Sequence, residues 1–188
     1  MNKDTDSNKI FIDNFSAAQK LYEENKFLES LAVYQKLHNQ NPKHISVLNN
    51  IGLIYEKLDN YKEAIRFYER CNQIHSNEVI LIHNLANVYF KVGRYVDALP
   101  LLKKIINSNY QNEYNSEKLS VCLFETQTKT DTKKFIEYAI SKFPKNTLLN
   151  GLLGKTLLHL NLHKDGLKYL QKSTGLIEFN NNGVKYLS

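Results

Sequence analysis

The chain of 188 residues is 42% hydrophobic, contains only 7 glycines and 3 prolines, and carries a formal net charge of +6. This composition is sufficient for a continuous core and disfavours a turn-rich all-β fold. Lysines and arginines are dispersed among acidic residues, whereas a nucleic-acid interface gathers its cations on one face, so we expect no nucleic-acid partner. No run approaches the roughly 18 apolar residues of a membrane span. The polar start lacks the apolar core of a secretory signal, so we expect a cytoplasmic protein that does not contact membranes.

The first ten residues are polar, and they contain too few apolar side chains to offset the entropy lost on ordering. We therefore predict a disordered segment over 1–10. From Phe11 onward, small and aromatic residues recur with a period of 34. The first period, 11–44, places the small residues Ala18 and Ser30 where the two helices of a hairpin would cross. Asn41-Pro42 predicts the turn that ends the second helix of this hairpin.

The second and third periods, 45–78 and 79–112, show the pattern most clearly. Gly93 falls between the two helices of the third period and suits a left-handed turn position. Pro100 lies early in the second helix, where it predicts a mild bend but no break. The residues that share offsets are Ile51-Gly52, Tyr55, Ala64 and Tyr68 in the second period, and Leu85-Ala86, Tyr89, Ala98 and Leu102 in the third.

The last two periods follow the same frame with different strength. The fourth, 113–146, is degenerate: its inter-helix segment is rich in threonine, a weak helix former, so we predict the loosest hairpin here. The fifth, 147–180, regains the pattern with Leu153-Gly154. The C-terminal tail, 181–188, is expected either to fold back over the last helix or to leave that face to another chain.

These offsets resemble the L-G-x2-Y…A-x3-F pattern of tetratricopeptide (TPR) repeats over residues 11–180. The chain is thus similar to a small bacterial-type TPR array. The resemblance implies an all-α fold, a right-handed α-solenoid of about five helix-turn-helix hairpins. It also implies a protein–protein interaction scaffold or adaptor, which binds an extended peptide or partner segment in a concave groove lined by the first helix of each repeat.

Asparagines stand out among the residues that the resemblance places in this groove. Asn50 and Asn84 occupy equivalent positions, and an amide side chain both donates and accepts, so it can pair with the backbone of an extended peptide. Asparagine is also common at this position in the family, so both interpretations stay open. Apolar groove residues favour a ligand, unless they pack between neighbouring repeats. The predicted peptide-binding residues are Tyr22, Asn49, Asn50, Leu53, His83, Asn84, Asn87, Phe90, Lys118, Val121 and Phe124.

Other kinds of site are not indicated. The carboxylate clamp by which some family members hold chaperone C-termini is matched only at Asn84 and Lys118, so we predict no binding of that kind. His159, His163 and Asp165 are close in sequence but lack a further compelling ligand, and we predict no metal site. Phosphate-loop, nucleophile-elbow and zinc-protease motifs are absent from the sequence, so we predict no catalytic residues, no cofactor and no enzymatic activity. Cys71 and Cys122 are interpreted as buried thiols.

Three alternatives to a peptide-binding adaptor stay open. The chain could be a subunit that self-associates through its C-terminal hairpin, which would make it a homo-oligomer. It could be an accessory subunit of an enzyme complex of the transferase or oxygenase type. It could also resemble the chaperones of type III secretion, although five periods instead of three argue against this. In each case the partner is a protein or peptide whose identity the sequence does not specify.

Overall fold

A computed structural model describes residues 3–108, 110–126, 129–174, 177–180 and 183–186. Within these ranges the chain forms ten α-helices followed by two short strands, an all-α helical-repeat fold with a small terminal hairpin. The helices are α1 (Lys3–Glu23), α2 (Phe27–Gln40), α3 (Ile45–Lys57), α4 (Tyr61–Ile74), α5 (Val79–Lys91), α6 (Tyr95–Asn107), α7 (Glu113–Thr126), α8 (Lys129–Lys142), α9 (Thr147–His159) and α10 (His163–Thr174). The strands are β1 (Ile177–Asn180) and β2 (Gly183–Tyr186), which pair antiparallel.

Helix starts follow the sequence period. Helices α3, α5, α7 and α9 begin at Ile45, Val79, Glu113 and Thr147, which is a constant spacing of 34 residues. These positions coincide with the starts of the second to fifth periods. Helix α6 continues through Pro100 without a break, because a proline near a helix start removes only one amide hydrogen bond.

The turns inside the hairpins repeat as well. Asn25, Asp59 and Gly93 have φ angles of 59°, 56° and 75°, and they are 34 residues apart. Asn161 takes the same conformation, with a φ of 61°, between α9 and α10. Asparagine, aspartate and glycine tolerate this left-handed region better than other residues. The left-handed turn predicted at Gly93 is confirmed.

The described residues divide into two compact units, 1–92 and 93–188. In the first unit, small residues let paired helices approach closely. Ser30 and Ala18 are fully buried, and the Ser30 hydroxyl donates a hydrogen bond of 2.7 Å to the Ala18 carbonyl oxygen. A Cβ atom on Gly52 would lie only 2.5 Å from Cε1 of Tyr68. The apolar core of this unit includes Leu37, Val47, Leu48, Ile51, Ile54 and Phe67.

The second unit has a more polar interior. An apolar cluster joins α8 and α9 through Ile136, Ala139, Leu149, Leu153 and Leu157. Helix α7, in contrast, buries several polar side chains. Those that are almost completely inaccessible are Asn115, Ser116 and Ser120.

Both ends of the chain differ from the predictions. Residues 3–10 were predicted to be disordered, but α1 begins at Lys3. The rings of Phe11 and Phe15 lie 5.0 and 5.5 Å from those of His44 and Tyr34, which anchors α1. Extending an anchored helix adds a hydrogen bond per residue without a new nucleation cost, which accounts for the helical segment.

At the other end, the predicted fifth hairpin and tail divide differently. Helix α10 ends at Thr174, and β1 occupies the last positions assigned to the fifth period. The tail pairs with β1 in the register Ile177 with Tyr186 and Asn180 with Gly183. Residues 181 and 182, where the turn was expected, lie outside the described residues. Self-association through this end stays a prediction.

The two cysteines have inaccessible side chains and form no disulfide, as the sequence predicted. Burial raises the pKa of both thiols to about 12, from 9.0 for an ordinary thiol. The folded state therefore holds these protons more tightly than the unfolded state does, and the free energy of unfolding should be highest below pH 9 and fall as the pH rises towards 12.

Urea unfolding measured at pH 8 and at about pH 10 tests this loss of stability. A variant with both Cys71→Ala and Cys122→Ala should lose much of the dependence on pH between these two values. An equally steep decline in the variant would show that other groups cause it.

Candidate functional site

Three clefts in the first unit share lining residues and form one connected surface. A pocket of about 200 Å³ lies among α1, α2 and α3. It shares Gln19 and Asn50 with a cleft of about 520 Å³, and Tyr22 and Leu53 with another of about 330 Å³. We call this surface the first-unit groove. Its lining residues include Phe15, Gln19, Tyr22, Glu23, Tyr34, Asn49, Asn50, Leu53, Glu56, Lys57, His83, Asn84, Asn87 and Lys91.

Helical periodicity explains why these side chains share a surface. On α3, Asn49, Asn50, Leu53 and Glu56 recur at spacings of three and four residues, so they lie on one side of the helix. The opposite side, with Val47, Leu48, Ile51 and Ile54, is fully buried in the core. Helix α5 repeats the arrangement, with half-buried His83, Asn84 and Asn87 and fully or nearly buried Leu81, Ile82 and Leu85.

The groove asparagines make side-chain hydrogen bonds to one another and to aromatic residues. Nδ2 of Asn50 donates to the Tyr34 hydroxyl at 2.8 Å, and Nδ2 of Asn84 donates to Oδ1 of Asn49 at 2.8 Å. Nδ2 of Asn87 lies 2.9 Å from Nδ1 of His83. Since an amide carries two N–H groups and an oxygen, Asn50 and Asn84 each retain an N–H and Oδ1 beyond these bonds.

Electrostatic interactions within the groove centre on Glu56. Its carboxylate accepts a hydrogen bond of 3.2 Å from the Tyr68 hydroxyl and lies 3.4 Å from Nζ of Lys91. Burial raises the pKa of Tyr22, and the negative charge of Glu56 raises it further. Burial also raises the pKa of Tyr34 to about 12, with a smaller contribution from the charge of Glu23 and an opposing one from the Asn50 hydrogen bond. Both phenols are therefore neutral at pH 7.

The structure brings seven of the eleven predicted residues together in the first-unit groove. These are Tyr22, Asn49, Asn50, Leu53, His83, Asn84 and Asn87. Phe90 is half-buried on α5 and does not line the described clefts.

The other three predicted residues lie on α7, in the second unit. Lys118 is mostly buried, donates to the Tyr114 hydroxyl at 2.6 Å and has its Nζ 3.9 Å from the centre of that ring. Val121 is half-buried, and the ring of Phe124 stacks on that of His159 at 5.9 Å. These contacts give Lys118 and Phe124 structural partners within their own unit, and their part in ligand binding stays a prediction.

The sequence analysis missed Tyr34, Glu23 and Lys91. Tyr34 belongs to α2, the second helix of its hairpin, and was interpreted only as core. Glu23, Lys57 and Lys91 stand at position 13 of the first three periods, which the family pattern places in the groove. The signal for these three charged residues was thus present in the sequence.

Two further searches concern other classes of site. Within the described ranges, no three His, Cys, Asp or Glu side chains lie close enough to hold a metal ion. Of the helices in those ranges, none is both long and apolar enough to cross a bilayer.

Comparison with known proteins is informative at two levels. Residues 45–76 and 81–109 each match a family model described as a tetratricopeptide repeat. No curated protein matches the chain in sequence.

Several solved structures share the fold. MamA AMB-1 is 16% identical and superposes with a TM-score of 0.79, covering 90% of this chain and 92% of that chain. MamA from Desulfovibrio magneticus RS-1 is 15% identical, with a TM-score of 0.73 and coverage of 89% and 93%. YrrB, described as a TPR protein with an unusual peptide-binding site, is 19% identical, with a TM-score of 0.78 and coverage of 86% and 84%. Together, the two matched repeats and the shared helical fold show that the chain is a tetratricopeptide-repeat protein.

Proposed function

We propose that this protein is a non-catalytic interaction scaffold that binds an extended segment of a partner protein in the first-unit groove. The observation that carries the proposal is the pair of amides Asn50 and Asn84 on neighbouring first helices. Each faces a cleft and retains hydrogen-bonding groups beyond its bond within the protein.

An extended peptide suits the groove better than a compact small molecule does. Its backbone presents N–H and C=O groups in alternation, and amide side chains can pair with both without regard to sequence. Connected clefts can each accept a side chain of the same segment. The apolar contribution of Leu53 and the ring of Tyr22 would favour burial of side-chain carbon. YrrB, which shares the fold, is described as having a peptide-binding site, and this supports the same class of ligand.

Removing both amides tests the proposal. We expect the double variant Asn50→Ala and Asn84→Ala to weaken binding of short peptides by about tenfold or more, because a net hydrogen bond contributes about 1 kcal/mol and two are lost. The measurement is fluorescence titration of peptides first selected on the unmodified protein from an immobilised array of random sequences.

A matched control replaces two exposed asparagines on the same pair of helices that do not line the described clefts, Asn14→Ala and Asn39→Ala. The groove variant should also lose some stability, because the Tyr34 hydroxyl loses its hydrogen bond from Asn50. Thermal unfolding of both variants measures this effect separately. Equal peptide affinities of the groove variant, the control and the unmodified protein would contradict the proposed groove.

A further inference from the structure

The smallest cleft of the first-unit groove has the dimensions of a site for one side chain. Its volume is about 200 Å³, below the roughly 300–1,000 Å³ typical of small-molecule pockets. We call it the Tyr22–Tyr34 pocket; it is lined by Gln19, Tyr22, Glu23, Tyr34, Asn50 and Leu53.

Packing holds the two aromatic walls of this pocket in place. The Tyr22 ring meets Phe27 edge-to-face at a centroid distance of 5.5 Å, and the Tyr34 ring meets Phe15 in the same way at 5.5 Å. Edge-to-face pairs of this kind stabilise ring orientation beyond simple burial. The hydrogen bond from Asn50 to Tyr34 also links α3 to α2 across the floor of the pocket. The pocket therefore exists before a ligand binds.

The polar atoms of the lining are mostly acceptors. Because Nδ2 of Asn50 donates to Tyr34, its Oδ1 is left to accept from a ligand. Glu23 adds a carboxylate, and Gln19 adds an amide oxygen. Among the described residues that line the pocket there is no lysine, arginine or histidine. Leu53 and the two tyrosine rings supply the apolar and aromatic part of the wall.

Electrostatic interactions have the same sign. The charge of Glu23 acts on the Tyr34 phenol and that of Glu56 on the Tyr22 phenol; in both cases burial is the larger cause of the raised pKa. Lys57 and Lys91 line the neighbouring cleft, and Nζ of Lys91 lies 3.4 Å from the Glu56 carboxylate. A cation in the Tyr22–Tyr34 pocket would thus meet carboxylate, carbonyl and aromatic groups.

We propose that the Tyr22–Tyr34 pocket binds a lysine or arginine side chain of the partner segment. The apolar stem of such a side chain would lie against Leu53 and the aromatic rings, and its charged end would meet Glu23 and Oδ1 of Asn50. The identification of the ligand as part of a peptide rests on the proposed function. The preference for a basic side chain rests on the pocket itself.

Single amino-acid probes test the pocket without knowledge of the partner. N-acetyl-lysine amide, N-acetyl-norleucine amide and N-acetyl-glutamate amide are titrated into the full chain, and the NMR signals of the Asn50 and Gln19 side-chain amides are followed. We expect the lysine probe to bind about fivefold more tightly than the norleucine probe, the upper range for a partly exposed ion pair. The glutamate probe should bind most weakly, and added salt should weaken only the binding of the lysine probe markedly.

The variant Glu23→Gln keeps the shape of the side chain and removes its charge. It should reduce lysine-probe affinity to that of norleucine. The matched control is Glu24→Gln, since Glu24 is adjacent in sequence but does not line the pocket. Equal binding of norleucine and lysine, no response of the two amides to any probe, or unchanged lysine affinity in Glu23→Gln would each overturn the inference.

Peptide selection separates this inference from the proposed function. Enrichment of lysine or arginine among array peptides bound by the unmodified protein, lost in Glu23→Gln, supports both. Peptides that bind without such enrichment would refute the basic pocket and leave the groove intact. If the lysine probe binds as expected but no peptide binds, the pocket stands and the proposed function fails.

Discussion

Gly154→Ala is expected to lower the free energy of unfolding of the second unit by about 2–3 kcal/mol, the upper range for overpacking. A Cβ atom at this position would lie 2.7 Å from Cγ of Leu170 and 2.9 Å from the backbone oxygen of Gly166. The relationship is reciprocal, because a Cβ on Gly166 would lie 2.9 Å from the backbone oxygen of Gly154. Backbone atoms cannot move aside as a flexible side chain can, so α9 and α10 would have to separate.

Helix propensity acts in the opposite direction and makes the test stringent. Alanine is favoured over glycine inside a helix by about 1 kcal/mol, so a net loss can come only from the clash. Hydrogen exchange of α9 and α10 amides is the measurement, since two compact units need not unfold in one transition. The control, Lys155→Ala, changes an exposed neighbour and should stay within about 0.5 kcal/mol of the unmodified protein. Unchanged protection in Gly154→Ala would show that the two helices do not cross at these glycines.

Tyr68→Ala should destabilise the first unit by about 3–5 kcal/mol, the range found when large aromatic side chains are removed from a core. Tyr68 is fully buried on α4, and its hydroxyl donates to Glu56 at 3.2 Å. Tyr68→Phe keeps the ring and removes only this hydrogen bond, so it should cost about 1 kcal/mol. Urea unfolding of the two variants separates the contribution of the ring from that of the hydroxyl. Equal losses for both would mean that the hydroxyl and not packing dominates.

Gly52 provides an internal check on the role of Tyr68. With the tyrosine present, a Cβ on Gly52 would meet Cε1 and Cδ1 of the ring at 2.5 and 2.8 Å, so Gly52→Ala should be destabilising. In the Tyr68→Ala background the same substitution should be neutral or stabilising. A double-mutant cycle measures this coupling. Additive effects would contradict direct contact between residue 52 and the ring.

The period of 34 residues could be predicted because local chemistry repeats with it. Ala18 with Ser30 and Gly52 with Tyr68 show close approach of paired helices, and these small residues are visible in the sequence. The left-handed turn at Gly93 was also predictable, since glycine is the residue that most readily adopts it. Asn25 and Asp59 take the same conformation, but these residues are frequent in many other settings, so they gave no clear signal.

Features that depend on packing against distant residues were not predictable in the same way. The helical start at Lys3 depends on the anchoring of Phe11 and Phe15 by residues of α2 and the loop that follows it. Lys118 was predicted to face a ligand, but its stem is buried and its amine lies over the Tyr114 ring. Tyr34 was missed because a position on the second helix of a hairpin carries no groove signal of its own.

The polar interior of α7 has a consequence for dividing the chain into fragments. Asn115, Ser116 and Ser120 use buried surface without adding apolar area, so the fourth hairpin draws its hydrophobic cohesion from the contact between α8 and α9. A fragment that stopped after Pro144 would expose Ile136 and Ala139 to water and retain the polar helix. A shortened protein designed for expression should therefore terminate before Glu113.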